Sequence, residues 1–337
     1  MIKGLYSHVQ THGYFTVKEY IMMEREGKHC LLVRFENEFV GLTVKEILTD
    51  RLGFSKRVIT ALKSRPDGIL INGEHVTVRA TVKEGDVLCI NCADESDAEK
   101  LVPSSVLPDV IYEDNDLIAL NKPPYMPTHQ SQGHFYDTLA NSLAYYFSLR
   151  GEPFVFRSVN RLDRNTSGVV IVAKNRLAAS KLSNMMKRGE IKKTYLAILS
   201  GELPQDSGRI ETYIRRKEQS IILREVCPSC EDAKLAVTDY TVLARARGLT
   251  LVLASPITGR THQLRVHFAH EGAQILGDDL YGVVSELIGR HALHAVKIEM
   301  PRMSTDGTAV FEAPLPDDML KIIENTFGKE FKLNGRK

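Results

Sequence analysis

The sequence lacks the features that mark membrane, secreted and disulfide-rich proteins. No stretch of its 337 residues approaches the roughly 20 apolar residues of a membrane span. The first 25 residues contain no apolar core of a signal peptide. Five cysteines are few and odd in number, which is typical of reduced thiols. These absences predict a cytoplasmic protein that has no contact with a membrane.

Two Cys-x-x-Cys pairs, Cys89/Cys92 and Cys227/Cys230, superficially suggest a zinc ribbon. The two pairs are separated by far more residues than the ligand pairs of such a ribbon. Cys89 also lies in a strand-like run, where positions i and i+3 face opposite sides. We therefore predict unpaired thiols and no structural metal.

The most informative stretch is residues 159–173, which places one carboxylate, Asp163, between Arg161 and Arg164. A Thr-Ser-Gly turn follows, and then a run of β-branched residues that is typical of a buried strand. Cationic neighbours hold such an aspartate in its ionised form, and the turn can aim it. These features predict a functional site at Asp163.

The net charge of the chain does not indicate a binding partner, because 44 basic residues nearly balance 42 acidic ones and leave only +2. Its distribution is more informative. Residues 174–193 contain seven basic side chains and a single acid, Glu190. Such a run is usually a solvated helix face. Its position directly after the Asp163 stretch favours a surface that faces phosphate groups.

Residues 30–92 are predicted to form a first, small α+β domain. Thr43 and Ser55 have the positions of helix N-caps, and Asn72-Gly73 predicts a hairpin between strands at residues 69–71 and 76–78. Acidic residues and prolines mark residues 93–108 as a linker. Residues 1–29 form an extension of unknown role, residues 109–325 the second domain, and residues 326–337 a basic tail.

The second domain is predicted to mix short strands with a few helices. Helices are expected at residues 138–149 and 176–188, and a strand pair at residues 235–243 and 249–254. Strands and helices do not alternate regularly, so the prediction is an α+β fold with a mixed, largely antiparallel sheet and packed helices. Residues 258–267 are read as strand and turn. His262, His267 and His294 are therefore expected to form hydrogen bonds and not to bind a metal.

The Arg161-Leu162-Asp163 stretch resembles the Arg-Leu-Asp motif of the RluA-type RNA pseudouridine synthases. Further segments resemble the family's other motifs in the right order, so that the resemblance covers roughly residues 110–315 and implies the pseudouridine synthase fold. These segments are residues 119–124 with His129, Lys193-Thr194-Tyr195, residues 258–267, residues 277–282 and residues 293–295. Within residues 30–92, the segments 55–57, 71–74 and 82–87 resemble the alpha-L RNA-binding module.

The resemblance implies an enzyme that flips a uridine out of structured RNA and isomerises it to pseudouridine. Asp163 would be the catalytic carboxylate, Arg265 would pair with it, and Tyr195 would either stack on the target base or transfer a proton. Arg161 would contact the RNA or else only neutralise Asp163. The full set of implied RNA-binding residues is Arg161, Arg164, Lys56, Arg57, Lys192, Lys193, Arg260 and His262.

The chemistry itself constrains the site. Isomerisation cuts the glycosidic bond, turns the base and rejoins it through carbon, so nothing is oxidised and no cofactor is needed. An ionised carboxylate suits this reaction as nucleophile or as base. The expected partner is RNA, with ribosomal RNA ahead of transfer RNA, and no obligate protein partner is implied.

Two other functions compete with this one. A non-catalytic protein could clamp RNA with both domains. A glycosidase-like hydrolase would need a second carboxylate at the sugar, for which only Asp278 and Asp279 are available near the other motifs. Two positions depart from the family pattern: Asn160 stands where histidine is common, and Tyr125 replaces a frequent glycine.

Overall fold

The computed structural model describes residues 6–8, 20–25, 28–35, 39–91, 101–303 and 306–328. Cys92, much of the predicted linker and residues 329–337 of the predicted tail lie outside the described residues. Within the described ranges, no helix is long and apolar enough to cross a membrane.

The N-terminal part contains a six-stranded antiparallel sheet with the strand order β1-β2-β3-β6-β4-β5. Because β1 and β2 lie within residues 1–29, the sheet begins well before the predicted boundary at residue 30. The elements are β1 Tyr6–His8, β2 Tyr20–Arg25, β3 Lys28–Arg34, α1 Val44–Glu46 with a π-helical turn Ile47–Arg51, α2 Lys56–Lys63, β4 Ile69–Ile71, β5 Glu74–His75 and β6 Val87–Asn91.

Local signals in this part act as predicted at both helix N-termini and at the hairpin turn. Thr43 and Ser55 cap α1 and α2, and Asn72 and Gly73 have the positive φ angles of a two-residue hairpin turn, 51° and 88°. The strand predicted at residues 76–78 is wrong. The chain leaves the sheet there because the Val78 carbonyl accepts a hydrogen bond from the backbone of α1 (Lys45 N, 2.9 Å).

The larger sheet has eleven strands and four helices packed around it. Nine strands follow the order β12-β11-β13-β14-β10-β16-β9-β8-β7, β15 pairs with β10, and β17 pairs with β16. Among the strands that the structure describes, only the β9–β16 pair is parallel, which confirms the predicted mixed, largely antiparallel sheet. The strands are β7 Val110–Glu113, β8 Leu117–Lys122, β9 Ser167–Ala173, β10 Lys192–Ser200, β11 Ser207–Arg216, β12 Arg224–Cys227, β13 Lys234–Ala246, β14 Leu249–Pro256, β15 Gln274–Ile275, β16 Leu293–Pro301 and β17 Thr308–Glu312. The helices are α3 Leu139–Ser148, α4 Arg176–Lys187, α5 Gln263–His270 and α6 Asp317–Phe327.

The interpretation of residues 258–267 as strand and turn is wrong, because α5 begins at Gln263. The Gln263 side-chain oxygen accepts from the Arg260 backbone N–H (2.9 Å) and the Thr258 hydroxyl (2.7 Å), which closes the turn in front of the helix. Leu264 and Phe268 are buried at helical spacing, a signal that the sequence did contain. The helix turns Arg265 toward the interior of the domain.

Gly168 explains why the Asp163 loop enters the sheet beside β16. A Cβ atom at this position would lie 2.2 Å from the Ala295 carbonyl oxygen, and the residue has φ +113°. Only glycine allows the start of β9 to approach β16 this closely. The Thr-Ser-Gly turn thus fixes the position of the loop in front of it.

Helix α4 connects the two parts of the chain. Leu177 packs into the apolar core of the N-terminal part, and the Gly53 carbonyl accepts hydrogen bonds from the Ser180 hydroxyl and from the Asn184 amide (2.9 Å). Other side chains of the same helix, among them Leu182, pack on the larger sheet. The helix therefore lies between the two sheets.

Candidate active site

A cleft of about 460 Å³ opens where the Asp163 loop, β10 and the start of α5 meet. Most of the side chains singled out from the sequence line it. They are Asp163, Tyr195, Arg265, Arg161, Lys193, Arg260 and His262. The other four, Arg164, Lys192, Lys56 and Arg57, are exposed and do not line the cleft.

The backbone of the Asp163 loop is held on both sides of the carboxylate. The Thr128 hydroxyl donates to the Leu162 carbonyl (2.9 Å), and the Thr166 N–H donates to the Asp163 carbonyl (3.1 Å). Lys122 Nζ donates to the Arg164 carbonyl (3.2 Å). Fixed backbone on both sides limits the directions in which the Asp163 side chain can point.

Lys122 lies beneath this loop and is fully buried. Its ammonium group also donates to the carbonyls of Pro123 and Met126, both at 2.8 Å. Burial lowers the Lys122 pKa to about 7, although the nearby charge of Asp163 opposes this shift. The Asn-Lys-Pro segment was identified from the sequence, but the role of its lysine in joining two loops was not.

The Asp163 carboxylate is partly exposed to the cleft and lies near two nitrogen-bearing side chains. Arg265 Nη1 is 3.6 Å and His262 Nε2 is 3.9 Å from Asp163 Oδ2. Burial lowers the pKa of His262, with the charge of Asp163 acting in the opposite direction, so the imidazole is neutral near pH 7. Arg265 is therefore the cation that faces the carboxylate.

Arg265 makes its strongest ion pair with Asp278, a pairing that was not expected. Its Nε and Nη2 atoms donate to the two Asp278 carboxylate oxygens, each at 2.7 Å, and both side chains are buried. Burial raises the pKa of Asp278, but the hydrogen bonds and charge of Arg265 outweigh burial and hold it below its ordinary value. Two-point contact with Asp278 thus orients the guanidinium, and its third nitrogen faces Asp163.

His262 occupies a strained position at the start of α5. Its φ of 58° is left-handed, which is uncommon for a residue with a side chain. His262 Nδ1 lies 2.8 Å from the Tyr281 hydroxyl, and that hydroxyl accepts from the Arg224 backbone N–H (2.8 Å). The left-handed backbone therefore brings the imidazole between Tyr281 and Asp163.

Tyr195 lies on β10 with only 8% of its surface exposed, and it forms part of the cleft. Burial, together with the negative charge of Asp163, raises the pKa of its hydroxyl. The phenol is therefore neutral near pH 7 and can donate a hydrogen bond. Within the described ranges its hydroxyl has no hydrogen-bond partner.

A second layer of buried polar residues supports the loop, and sequence reasoning missed most of it. Thr166 Oγ1 lies 2.7 Å from His291 Nε2. Arg290 donates to the Asn165 carbonyl (3.0 Å) and forms two hydrogen bonds to Asp318 on α6, at 2.7 and 2.9 Å. Residues this far apart in the chain form no local pattern.

The expectation that His262, His267 and His294 form hydrogen bonds is confirmed for all three, since His262 bonds to Tyr281. His294 lies 2.9 Å from the Ser167 hydroxyl, and His267 lies between the hydroxyls of Thr238 (3.0 Å) and Thr212 (3.1 Å).

Three potential metal ligands, Asp278, Asp279 and His291, offer atoms within 4.8 Å of one another. Arg265 already occupies both carboxylate oxygens of Asp278. A metal ion there would have to displace or repel the guanidinium, so the arrangement favours an arginine site.

The two departures from the family pattern have structural explanations. The side-chain amide of Asn160 forms two hydrogen bonds with the backbone of β9. Its Nδ2 donates to the Val169 carbonyl (3.0 Å), and its Oδ1 accepts from the Ile171 N–H (2.9 Å). It thus fastens the Asp163 loop to the strand without a charge. Tyr125 adopts a left-handed φ of 65°, a conformation that favours glycine, and is 49% exposed.

The basic run at residues 174–193 does not form a uniform surface facing phosphate groups. Lys174 pairs with Glu113 (2.6 Å), Arg176 is buried, and Arg188 pairs with Glu190 (2.6 Å). The charges that remain exposed in this run include Lys187 and Lys192.

The four described cysteines, Cys30, Cys89, Cys227 and Cys230, form no disulfide bond with one another, and Cys92 lies outside the described residues.

Comparison with known proteins identifies the family. A family model described as RNA pseudouridylate synthase matches residues 116–270. The chain is 39% identical over 283 residues to the uncharacterized RNA pseudouridine synthase YjbO of Bacillus subtilis (strain 168), covering 84% of this chain and 99% of that protein. The chain belongs to the RNA pseudouridine synthase family. It is an isomerase that acts on RNA.

Other pseudouridine synthases support this assignment. The chain is 32% identical over 269 residues to ribosomal large subunit pseudouridine synthase D of Vibrio cholerae, covering 75% of this chain and 82% of that protein. A solved structure, human RNA pseudouridylate synthase domain containing 1, is 29% identical and has a TM-score of 0.52, covering 63% of this chain and 86% of that one. The predicted family and fold are thus confirmed.

Proposed function

We propose that this pseudouridine synthase modifies a uridine of ribosomal RNA and that Asp163 is its catalytic carboxylate. The arrangement of Asp163 and Arg265 in one cleft is the observation that carries the proposal. A carboxylate that acts at the sugar or the ring needs a cationic partner in the cleft, and the Arg265 guanidinium, oriented by the buried Asp278, provides one 3.6 Å away.

The reaction that this site must perform is an isomerisation. The bond between C1′ of the ribose and N1 of the uracil breaks, the base turns, and a bond between C1′ and C5 forms while C5 loses a proton and N1 gains one. Asp163 acts as nucleophile or as base in this sequence. Tyr195 borders the same cleft with a neutral hydroxyl, which supports contact with the turning base.

Access to the uridine requires flipping, since a stacked base in structured RNA cannot reach a cleft. Arg161 supports this step because it is exposed at the edge of the cleft, two residues before Asp163, and can enter the space that the flipped base leaves. Arg265 Nη1 already lies 3.6 Å from the Asp163 carboxylate, so neutralising Asp163 does not depend on Arg161.

Further cations could hold the phosphate backbone around the flipped nucleotide. Arg164, Lys192, Lys193 and Arg260 supply these charges around or in the cleft, and the neutral imidazole of His262 can form a hydrogen bond to the RNA there. Lys56 and Arg57 are exposed in the first turn of α2, directly after the Gly53 contact with α4, and would extend the RNA surface onto the N-terminal part.

Ribosomal RNA is the proposed substrate because relatives such as that of Vibrio cholerae are named ribosomal large subunit pseudouridine synthase. The N-terminal part, which we propose to be an alpha-L RNA-binding module, suits a large structured RNA. The cytoplasm is the corresponding place of action.

The test is tritium release from RNA labelled at C5 of uracil, because this hydrogen is lost when the new bond forms. Ribosomal and transfer RNA fractions from cells lacking the enzyme serve as substrates. We expect release from ribosomal RNA by the wild type and none by Asp163→Asn, with unchanged circular dichroism. Asp206→Asn, at an exposed acid outside the cleft lining, is the control and should retain activity. Release by Asp163→Asn, or release from transfer RNA alone, would contradict the respective part of the proposal.

A further inference from the structure

Two neighbouring aromatic side chains, Phe135 and Tyr136, are exposed in the loop between β8 and α3. Their exposed fractions are 54% and 65%, and their ring centroids are 6.4 Å apart. Other adjacent exposed apolar pairs of the described chain, such as Val283 and Val284, are aliphatic, whereas these two side chains offer aromatic faces on which a ligand can stack.

The loop that carries the pair is well ordered by its own hydrogen bonds. Ser131 and His134 exchange two backbone hydrogen bonds, at 3.1 and 2.9 Å. The Phe135 carbonyl accepts from the side-chain amides of Gln130 (2.6 Å) and Asn141 (3.0 Å). These hydrogen bonds fix the backbone at Phe135, so the two aromatic rings are exposed on a loop of defined conformation.

The same loop is attached to the predicted catalytic loop. Thr128 bonds to the Leu162 carbonyl, and Lys122 joins the carbonyls of Met126 and Arg164. The Asp137 carboxylate, next to Tyr136, interacts electrostatically with Arg164. His129 of the same loop lines the active-site cleft, and the segment that carries the aromatic pair continues from it at the rim of the cleft.

We propose that Phe135 and Tyr136 form a stacking platform for unpaired bases that flank the target uridine. The proposal rests on the proposed function, since flipping a uridine leaves its neighbours partly unstacked. Proteins that hold single-stranded RNA combine cationic side chains for the phosphates with aromatic faces for the bases. The rim offers both, because the charge of Arg164 reaches Asp137, next to Tyr136, and Arg161 lines the cleft.

The absence of tryptophan from the chain provides a direct test. Phe135→Trp and Tyr136→Trp each create a protein with one tryptophan, whose fluorescence is quenched when a base stacks on it. Leu149→Trp is the control, because Leu149 is 62% exposed and follows the ten-residue helix α3, about 15 Å along its axis from the loop. The probes are a single-stranded oligouridylate and a fully paired RNA duplex.

We expect saturable quenching of both rim tryptophans by the oligouridylate, much weaker quenching by the duplex, and none at position 149. Binding of the oligouridylate without quenching at either rim position would overturn the proposal. Equal quenching at all three positions would also overturn it, because it would report nonspecific contact.

A second measurement uses the activity. Phe135→Ala/Tyr136→Ala should raise the KM for the RNA substrate by about 5- to 150-fold for each base that loses its stacking partner. The kcat should change less than about threefold, because the hydrogen bonds of Phe135 that order the loop are made by its backbone. Leu149→Ala should change neither constant. An unchanged KM in the double variant would contradict the platform.

The outcomes separate this proposal from the activity on which it rests. If the wild type releases no tritium but the rim tryptophans are quenched, the proposed activity fails and the platform is retained. A second copy of the chain is the competing occupant of the rim. Sedimentation could show that the wild type is a dimer and that the double alanine variant is a monomer with unchanged RNA binding. This result would assign the pair to a contact between copies and overturn the platform.

Discussion

Arg265 holds Asp278 through two hydrogen bonds of 2.7 Å and keeps its remaining nitrogen, Nη1, 3.6 Å from Asp163. The two aspartates therefore have different surroundings. Asp278 is buried and saturated by Arg265 and by the backbone N–H groups of Leu280 and Tyr281. Asp163 faces the cleft at a longer distance and is free to meet a substrate.

Asp278→Asn should destabilise the protein and reduce activity. Removing one partner from a buried ion pair leaves an uncompensated charge, which costs about 3–5 kcal/mol in the free energy of unfolding. The guanidinium of Arg265 would also lose its two-point orientation toward Asp163. Urea unfolding and tritium release measure the two effects.

The neighbouring acid provides the control for that prediction. Asp279 Oδ1 lies 3.5 Å from Arg265 Nη2, but its side chain is 57% exposed. Asp279→Asn should therefore change the free energy of unfolding by less than about 1 kcal/mol. Equal losses in the free energy of unfolding for the two substitutions would show that the burial of Asp278 does not determine its contribution to stability.

Tyr195→Phe should reduce kcat about 100-fold or more while the stability stays nearly unchanged. The Tyr195 hydroxyl is neutral, sits in a largely buried environment and has no hydrogen-bond partner within the described ranges. A neutral hydroxyl that borders the cleft without a protein partner can bond directly to the substrate, and a positioned proton donor contributes about 100-fold or more. Steady-state kinetics on the reactive RNA fraction measure kcat.

Tyr240→Phe is the matched control for the hydroxyl. Tyr195 and Tyr240 are both paired with Ala254 of β14, so they lie in one row of the sheet, two strands apart. Tyr240 is also buried but does not line the cleft. If kcat survives in Tyr195→Phe and falls only in Tyr195→Leu, the ring stacks on the base and the hydroxyl transfers no proton.

The sequence predicts this fold best where short-range chemistry decides the structure. The N-caps Thr43 and Ser55 and the hairpin at Asn72 depend on residues within four positions of each other. The strand predicted at residues 76–78 failed because Val78 bonds to α1, more than 30 positions earlier. Alternating apolar residues contain no information about such a partner.

The candidate site shows the same division. Asp163, Tyr195 and Arg265 could be selected from motifs, and they meet in one cleft. The pairing of Arg265 with Asp278 could not be predicted, because the helix that orients Arg265 was read as a strand and turn. Arg290 and Asp318 are 28 positions apart, and only the tertiary fold brings them together.

Acid should destabilise the protein steeply through three buried histidines. Burial lowers the pKa of His267 to about 4, of His291 to about 3 and of His294 to about 4. In the unfolded chain each titrates near 6.5, so below this pH the unfolded state binds more protons than the folded state. The contribution of the three neutral histidines to the free energy of unfolding is fully present above pH 6.5. It is lost as the pH falls toward 4, by about 4 kcal/mol per pH unit when all three contribute.

Urea unfolding between pH 7.5 and 4.5 tests the acid effect. This range starts above the unfolded-state histidine pKa of about 6.5 and ends close to the folded-state value of about 4. His267→Asn should remove about one third of the slope. His75→Gln, at an exposed histidine, should leave the slope unchanged. A free energy of unfolding that is constant across this range would mean that the buried histidines take up their protons without unfolding.

Asp318→Asn should loosen the Asp163 loop from a distance. Asp318, at the start of α6, forms two hydrogen bonds to Arg290, whose fully buried side chain donates to the Asn165 carbonyl of the loop. Without Asp318 the Arg290 charge is buried and unpaired. Because Asp318 is itself 35% exposed, water can replace part of the pairing, and we expect a loss of about 2 kcal/mol in the free energy of unfolding.

The kinetic signature distinguishes loosening of the loop from a general loss of stability. Arg290 acts through the loop backbone and does not line the cleft, so Asp318→Asn should lower kcat several-fold with little change in KM when assayed well below its melting temperature. Asp317→Asn, at the exposed neighbour in the same first turn of α6, should leave both constants unchanged. A rise in KM with kcat preserved would place Asp318 in RNA binding, and equal effects of both variants would point to the charge of the helix N-terminus.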